Sequence, residues 1–390
     1  MIPYGRHFID EDDVQAVVEV LRHGALTQGP KIAEFEQAVA GYVGAKYAVA
    51  VSSGTAALHL ACLAADVAKG DNVVTSPNTF VASANCALYA GANPRFADID
   101  PQTLNLDLAA LGKTCAELKQ VKAIIPVHFA GLPCDMPAIR KVAGKHGSII
   151  IEDAAHALGA AYPDGGKVGN CAWSDMTVFS FHPVKIIAAG EGGMITTNNE
   201  GTYRRLLRLR SHGINKGNDA FLNPDDAYQD GKFNRWYYEM QEIGYNYRIT
   251  DIQSALALSQ FRKIDQFINR RREEAAAYDE AFRGHDLIRP VHVNGRKTSA
   301  HHLYVVRISF DRMTMSRSEF MSKLHEDGIG SQVHYIPLHF HPYYRKRGFK
   351  PGTFPNAEHY YREALSLPLF YDLTPSDQRR VIAKVKDLLR

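Results

Sequence analysis

The chain has little that would commit it to nucleic acid, to a membrane or to an oxidising compartment. Charge of neither sign is in excess: 45 lysines and arginines stand against 42 aspartates and glutamates, a net of +3 over 390 residues. A dedicated nucleic-acid binder needs a surplus large enough to neutralise many phosphates, so the balance leaves room only for a small anionic ligand. Long hydrophobic runs are missing, and none reaches the length of a bilayer-spanning helix. The stretch "MIPYGRHFIDEDDVQAVVEVL" is acidic and amphipathic where a secretory leader would be basic and then apolar. Cysteine is sparse: Cys62, Cys86, Cys115, Cys134 and Cys171 are odd in number and scattered, with no C-x-x-C pair. They are expected as reduced core residues of a cytoplasmic protein, with no nucleic acid and no membrane as partner. No repeat or low-complexity tract interrupts the pattern.

What the sequence does contain is alternation. Between about Tyr47 and Asn198, short apolar runs such as "YAVAVS", "NVVTS", "AIIPVHF", "SIIIEDAA" and "MTVFSF" alternate with amphipathic stretches such as "GTAALHLACLAADV" and "MPAIRKVAGKH". Ile149, Ile150 and Ile151 are apolar on both faces, as in a central parallel strand covered by helices on each side. The expectation is an α/β fold with a mostly parallel sheet over residues 1–249. From 250 to 390 the texture changes to a long helical pattern from Thr250 to Phe282, then strands near "HHLYVVRISF" and "GSQVHYIPL". Capped helices are expected at "SRSEFMSKLHED" and "TPSDQRRVIAKVKDLL", which makes a smaller α+β domain.

Chemistry concentrates at the ends of the expected strands. "SIIIEDAAHALGA" carries Asp153 where a strand stops, the place at which parallel α/β sheets receive ligands, though a helix N-cap would use the same residue. In "MTVFSF" the period of two puts Val178, Ser180 and His182 on one face, with Lys185 just past the strand in "SFHPVKIIAAGEGGM". A carboxylate at one strand end and a lysine past the next suit pyridoxal phosphate. The amine carries the aldehyde and later moves protons, while the carboxylate keeps the pyridine nitrogen protonated so that the ring accepts electrons. "AVAVSSGTAALHL" runs a strand through Ser52, Ser53, Gly54 and Thr55 into a helix, which serves a phosphate or an ordinary cap. Phe80 in "SPNTF" is placed either to stack on a ring or to join the core. His334, His339 and His341 have no cysteine or carboxylate among them and are read as a strand rather than a metal site; the arginines of "YRRLLRLRSHGINK" are read as a solvated face.

These motifs, with "LTQGPKIAEFE", "EDAAHALGA", "RSHGI", "GYNYRITDIQSAL" and "QVHYIPLH", occur in the order and spacing of a known family across nearly the whole chain. The sequence resembles the DegT/DnrJ/EryC1/StrS aminotransferases, pyridoxal-phosphate enzymes acting on nucleotide-linked keto sugars. The resemblance implies aspartate-aminotransferase-like architecture (fold type I) and a homodimer with each active site at the subunit boundary. It implies that Lys185 bonds the cofactor, that Asp153 faces its ring nitrogen, and that Gly54, Thr55 and Ser180 hold its phosphate. Asn246 is implied to reach that phosphate from the neighbouring subunit, and Phe80 to serve the ring. His156 stands where many relatives have glutamine, beside the ring oxygen, and an imidazole donates a hydrogen bond there as well.

Within the family the likeness is to the aminotransferases of pseudaminic acid biosynthesis, through "SFHPVK", "RSHG" and "QVHY". That implies a UDP-linked 4-keto-6-deoxy-N-acetylhexosamine as acceptor and L-glutamate as donor. Tyr4, then Gly24, Ala25, Leu26 and Thr27, and then Gln332, Val333, His334 and Tyr335 are implied as substrate contacts in one cleft. Two other readings compete. A sugar dehydratase of the same fold has histidine in place of the lysine, which Lys185 opposes. A non-catalytic regulatory protein is opposed by the intact set of Asp153, Ser180, Lys185 and Asn246.

Overall fold

Alternation of side chains along each strand decides the architecture. The computed structural model describes residues 1–217, 219–291, 295 and 297–390. Seven strands form the main sheet: β1 (Tyr47–Val51), β2 (Asn72–Thr75), β3 (Asn93–Phe96), β4 (Ala123–Ile125), β5 (Ile149–Asp153), β6 (Met176–Ser180) and β7 (Gly193–Thr197). Their order is β1-β7-β6-β5-β4-β2-β3. All run parallel except β7, which is antiparallel to β1 on one side and β6 on the other.

Successive residues of these strands enter two separate apolar clusters. Ala48, Ala50, Ile150, Phe179 and Met194 point one way, against Phe35 and Val39 of helix Pro30–Val43 and Ile139 of helix Met136–His146. Val49, Val51, Ile151, Val178 and Ile195 point the other way, against Leu58 and Leu60 of helix Gly54–Ala64 and Leu206 of helix Glu200–Arg210. Burial on both faces is what a strand covered by helices on each side requires, so the sheet is the middle layer of three. Two glycines are demanded by close approach. A Cβ on Gly54 would lie 2.9 Å from the Cβ of Ser180, and one on Gly193, in "GEGGM", would collide with the carbonyl oxygen of Ser53.

The expected long helix is two. Thr250 caps helix Asp251–Phe261 through a capping box with Gln253, and helix Ile264–Phe282 follows after Arg262 and Lys263. No proline or glycine marks the break. Phe261, Ile264, Phe267 and Ile268 still belong to the first sheet cluster, whereas Tyr278 and Phe282 belong to a third one in the C-terminal part. That third core lies around an antiparallel three-stranded sheet, Ile288–Pro290, Tyr304–Ile308 and Ala364–Leu367. Helices Arg317–Glu326 and Pro375–Leu388 cover it, capped by Ser316 and Thr374. Ile2 joins the same cluster through a bridge to Ile329.

The strand expected at "GSQVHYIPL" does not form. Only Gln332 pairs, as a single bridge to Ser366, and the segment then runs irregularly to Leu338, whose amide bonds to the carbonyl of Pro77 at 2.9 Å. Anchored at both ends, residues 332–336 are laid across the carboxyl edge of the large sheet.

Candidate active site

A cavity of about 660 Å³ opens where that segment crosses the ends of β5 and β6. Its floor comes from regular structure. Asp153 ends β5, Ser180 ends β6, and the turn that begins at Ser180 brings Lys185 back over the sheet, closed by a Lys185 N–H bond to the His182 carbonyl at 2.8 Å. Gly54 and Thr55 open the helix after β1. Ser53 caps this helix by accepting from Ala56 N–H at 3.1 Å, so the amides of Gly54 and Thr55 have no intrahelical partner by position. The roof is Gln332, Val333, His334 and Tyr335, with Tyr4 from the N-terminal arm and Phe80 from the loop after β2. Phe80 is 57% exposed, with its ring open to the cavity rather than buried in the core.

The surroundings of the cavity make its amine easier to deprotonate. Burial lowers the pKa of Lys185 to about 8, opposed by the charge of Asp153; the residue keeps some solvent contact through the cavity mouth, but its amine is enclosed by protein. Three histidines surround it. Burial holds His156 and His302 well below the usual imidazole range and lowers His334 to about 3, with Lys185 adding to the effect on each. All three are neutral at physiological pH. The tautomer of His156 follows from its contacts. Nδ1 accepts the Ala130 N–H at 3.3 Å, so Nε2 carries the proton and donates to the Tyr335 hydroxyl at 3.0 Å. Asp153 accepts from Ser83 Oγ at 2.6 Å on one oxygen and from Ala155 N–H at 3.1 Å on the other.

The remaining expected contacts lie elsewhere in the chain. Gly24, Ala25, Leu26 and Thr27 are exposed and do not line this cavity, and neither does exposed Asn246. Within one chain, therefore, the segment 24–27 and the segment 332–335 do not form the single cleft expected of them. The two outlying groups are held beside one helix start instead. Asp251 N–H bonds the Leu26 carbonyl at 3.1 Å, and its carboxylate takes the amides of Gly29 and Lys31 at 2.7 and 3.0 Å. Thr27 bridges Thr250, four residues beyond Asn246.

Among the described residues no cluster of histidine, cysteine and carboxylate is arranged to hold a metal, and no helix is long and apolar enough to cross a membrane. His334 shares a hydrogen bond with Ser366, and His339 with Glu358. Two residues of the site carried no sequence signal. His302, two residues before the strand Tyr304–Ile308, lines the cavity with its ring centroid 4.4 Å from that of His156, and Ser83 reaches Asp153 from the start of a helix.

These residues fit pyridoxal phosphate on this structure's own terms. A cradle at Gly54 that a side chain would fill adjoins the Ser180 hydroxyl and free first-turn amides, and across the cavity stand an amine of lowered pKa and a half-satisfied carboxylate. The comparisons agree. A spore coat polysaccharide biosynthesis protein of Bacillus subtilis, SpsC, is 42% identical over 395 aligned positions, covering 100% of this chain and 97% of that protein. Helicobacter pylori PseC, an aminotransferase involved in the biosynthesis of pseudaminic acid, superposes with a TM-score of 0.89 at 31% identity, covering 100% of this chain and 99% of its own. The sugar aminotransferase Spr1654 of Streptococcus pneumoniae, described as putative and solved in its PMP-form, gives a TM-score of 0.89 at 30% identity, covering 100% and 99% of the two chains. The sequence profile of one family matches residues 7–386. By this match, and with its fold, buried lysine and phosphate cradle, the chain belongs to the DegT/DnrJ/EryC1/StrS aminotransferases, and is a pyridoxal-phosphate-dependent sugar aminotransferase of fold type I.

Proposed function

We propose that the chain moves the amino group of L-glutamate to C4 of UDP-2-acetamido-2,6-dideoxy-β-L-arabino-hex-4-ulose. The products are 2-oxoglutarate and UDP-4-amino-4,6-dideoxy-N-acetyl-β-L-altrosamine, the latter a step toward pseudaminic acid. The observation that carries this reading is the full-length likeness to PseC, together with a cavity roofed by the "QVHY" segment.

Pyridoxal phosphate, when bound, supplies the electron sink and carries the amino group between the two half-reactions. The protein supplies the rest. Lys185 would hold the cofactor, and its amine would be the group that takes a proton from the α-carbon of glutamate and delivers one to C4 of the sugar. With its pKa lowered to about 8, roughly a tenth of this amine is neutral at pH 7. Asp153 would face the ring nitrogen, Ser180 with Gly54 and Thr55 would hold the phosphate, and His156 would stand beside the ring oxygen. Tyr4 and residues 332–335 enclose the sugar and its N-acetyl group.

The working enzyme in this reading is a homodimer. Residues 24–27 and Asn246 are exposed in one chain and sit together beside the same helix start, next to apolar side chains left in solvent, including Leu26 and Ile243. A second copy would bring both groups to its neighbour's cavity. Mixing Lys185→Ala and Asn246→Ala homodimers then restores one intact site per mixed dimer, and about a quarter of wild-type activity after full exchange. Exchange without recovery removes the shared site.

A second reading has its own support in the likeness to SpsC, a protein of polysaccharide biosynthesis: the acceptor is another nucleotide-linked 4-keto sugar. Mass spectrometry of products from UDP-, GDP- and dTDP-linked 4-keto sugars with glutamate separates the two. A 2-acetamido acceptor should be preferred over a 2-hydroxy one by roughly tenfold to a hundredfold per lost polar contact. Equal or greater efficiency with the 2-hydroxy sugar would leave the aminotransferase and remove this substrate.

A further inference from the structure

We infer that Ser83 is a positioning residue for Asp153, and that Thr79 stands behind it in a hydrogen-bond chain of fixed direction. The inference rests on the reading of Asp153 as the partner of the ring nitrogen. Ser83 follows "SPNTFVA", at the start of the helix Ala82–Tyr89, and is wholly buried. Its hydroxyl lies 2.6 Å from Oδ2 of Asp153, 2.7 Å from the Thr79 hydroxyl and 3.3 Å from the Phe80 carbonyl.

A hydroxyl has one proton to give. The carboxylate is the nearest acceptor and the charged one, so the Ser83 proton goes there rather than to the Phe80 carbonyl. With that proton committed, the Thr79 contact has only one polarity: Thr79 donates and Ser83 accepts. Thr79, itself 2% exposed, lines the cavity. The chain therefore runs from Thr79 through Ser83 to Asp153, each donor strengthening the next.

Two consequences follow for the carboxylate. Oδ2 is held from the helix side and Oδ1 by the Ala155 amide, which fixes the plane of the group at the end of β5. With one donor on each oxygen, both oxygens keep acceptor capacity for a ring N–H at the cavity. The other titratable groups that feel the charge of Asp153 are Lys185, Tyr335 and Cys86, none of which hydrogen-bonds to it.

The test reads the bound cofactor's visible absorbance against pH, together with retention of pyridoxal phosphate on gel filtration. Ser83→Ala removes one of the two donors that fix the plane of the Asp153 carboxylate, and so would loosen its hold on the ring nitrogen of the bound cofactor. The absorbance midpoint should rise by about half to one pH unit, and transamination should fall about tenfold. Thr79→Val, which keeps shape and removes the first donor, should move the midpoint the same way by less. Asp153→Asn is the reference, and each variant's thermal midpoint is recorded alongside. If Asp153→Asn shifts the spectrum and Ser83→Ala does not, the role of Ser83 is overturned while that of Asp153 stands. If neither shifts it, both are overturned. A Thr79→Val shift equal to or larger than that of Ser83→Ala overturns the direction of the chain.

Discussion

Strand β5 ends in two neighbouring carboxylates, Glu152 and Asp153, that point to opposite faces of the sheet and have opposite surroundings. Burial does not distinguish them, since Glu152 is 0% exposed and Asp153 5%. Their donors do. Each oxygen of Glu152 receives two, Ser174 and Thr177 on one, His128 and Tyr162 on the other. Burial alone would raise its pKa, yet His128, Ser174 and Tyr162 outweigh that and hold it below the usual carboxylate value. Asp153 receives one donor per oxygen, from Ser83 and Ala155, and lines the cavity. Saturation marks a carboxylate whose work is to hold the structure, and unfilled acceptor capacity beside a cavity marks one that waits for a ligand.

The largest effect belongs to the residue the open carboxylate faces. Lys185→Ala should abolish turnover and the borohydride-trappable cofactor adduct together. Reduced pyridoxyl label on a tryptic peptide that lacks residue 185 would break the assignment. Next comes the open carboxylate itself. Asp153→Asn keeps the shape and loses the charge, and transamination should fall by about two orders of magnitude or more in a protein that stays folded. Near-normal turnover would erase the distinction between the two faces.

A pH measurement sharpens the same contrast. Desolvation lowers Lys185 to about 8 while Asp153 pulls upward, so the neutral, reactive form grows as pH rises toward that value. The rate at which cofactor-free enzyme captures pyridoxal phosphate should climb about tenfold per pH unit below the midpoint and level off above it. Asp153→Asn removes the opposing charge, and its midpoint should lie lower; Glu152→Gln, on the far face, should leave it in place. A wild-type midpoint near that of free lysine would mean that the amine is solvated.

What was legible in the sequence follows the same division. Asp153, Ser180 and Lys185 could be read because a strand's period of two and its end are local facts; the close approach that demands glycine at 54 and 193 could not, because it is made between segments far apart in the chain. The break at Arg262 and Lys263 could not, since neither residue opposes a helix and Phe261 and Ile264 on either side of it pack on the same core. Nor could the irregular path of 332–338: its alternation resembles a strand, but only Gln332 finds a neighbour to pair with. Ser83 and His302 reach the site through tertiary placement alone, and Glu152 is adjacent to Asp153 in sequence with nothing to tell their roles apart until the donors are counted.

The smallest expected effect on turnover comes from the saturated face, and it is where the comparison is most exposed. In Glu152→Gln one carboxylate oxygen becomes an amide that donates, placed among groups that also donate. The hydroxyls of Tyr162, Ser174 and Thr177 can rotate away, but His128 cannot adapt. Its Nδ1 accepts the Cys134 N–H at 3.0 Å, so moving the ring proton there would set two donors against each other. The amide oxygen must therefore take the side of His128 and Tyr162, and its nitrogen the side of Ser174 and Thr177, whose hydroxyls then accept and lose the carboxylate as acceptor for their own protons, at a cost of about 1 to 3 kcal/mol. The denaturation midpoint should fall accordingly. Because the opposite face of β5 keeps Ser83, Ala155 and the cavity intact, turnover of the folded, cofactor-saturated enzyme should stay within about threefold of wild type. A variant of unchanged stability whose turnover drops as far as that of Asp153→Asn would show that the two carboxylates act as one unit, and that counting donors does not separate them.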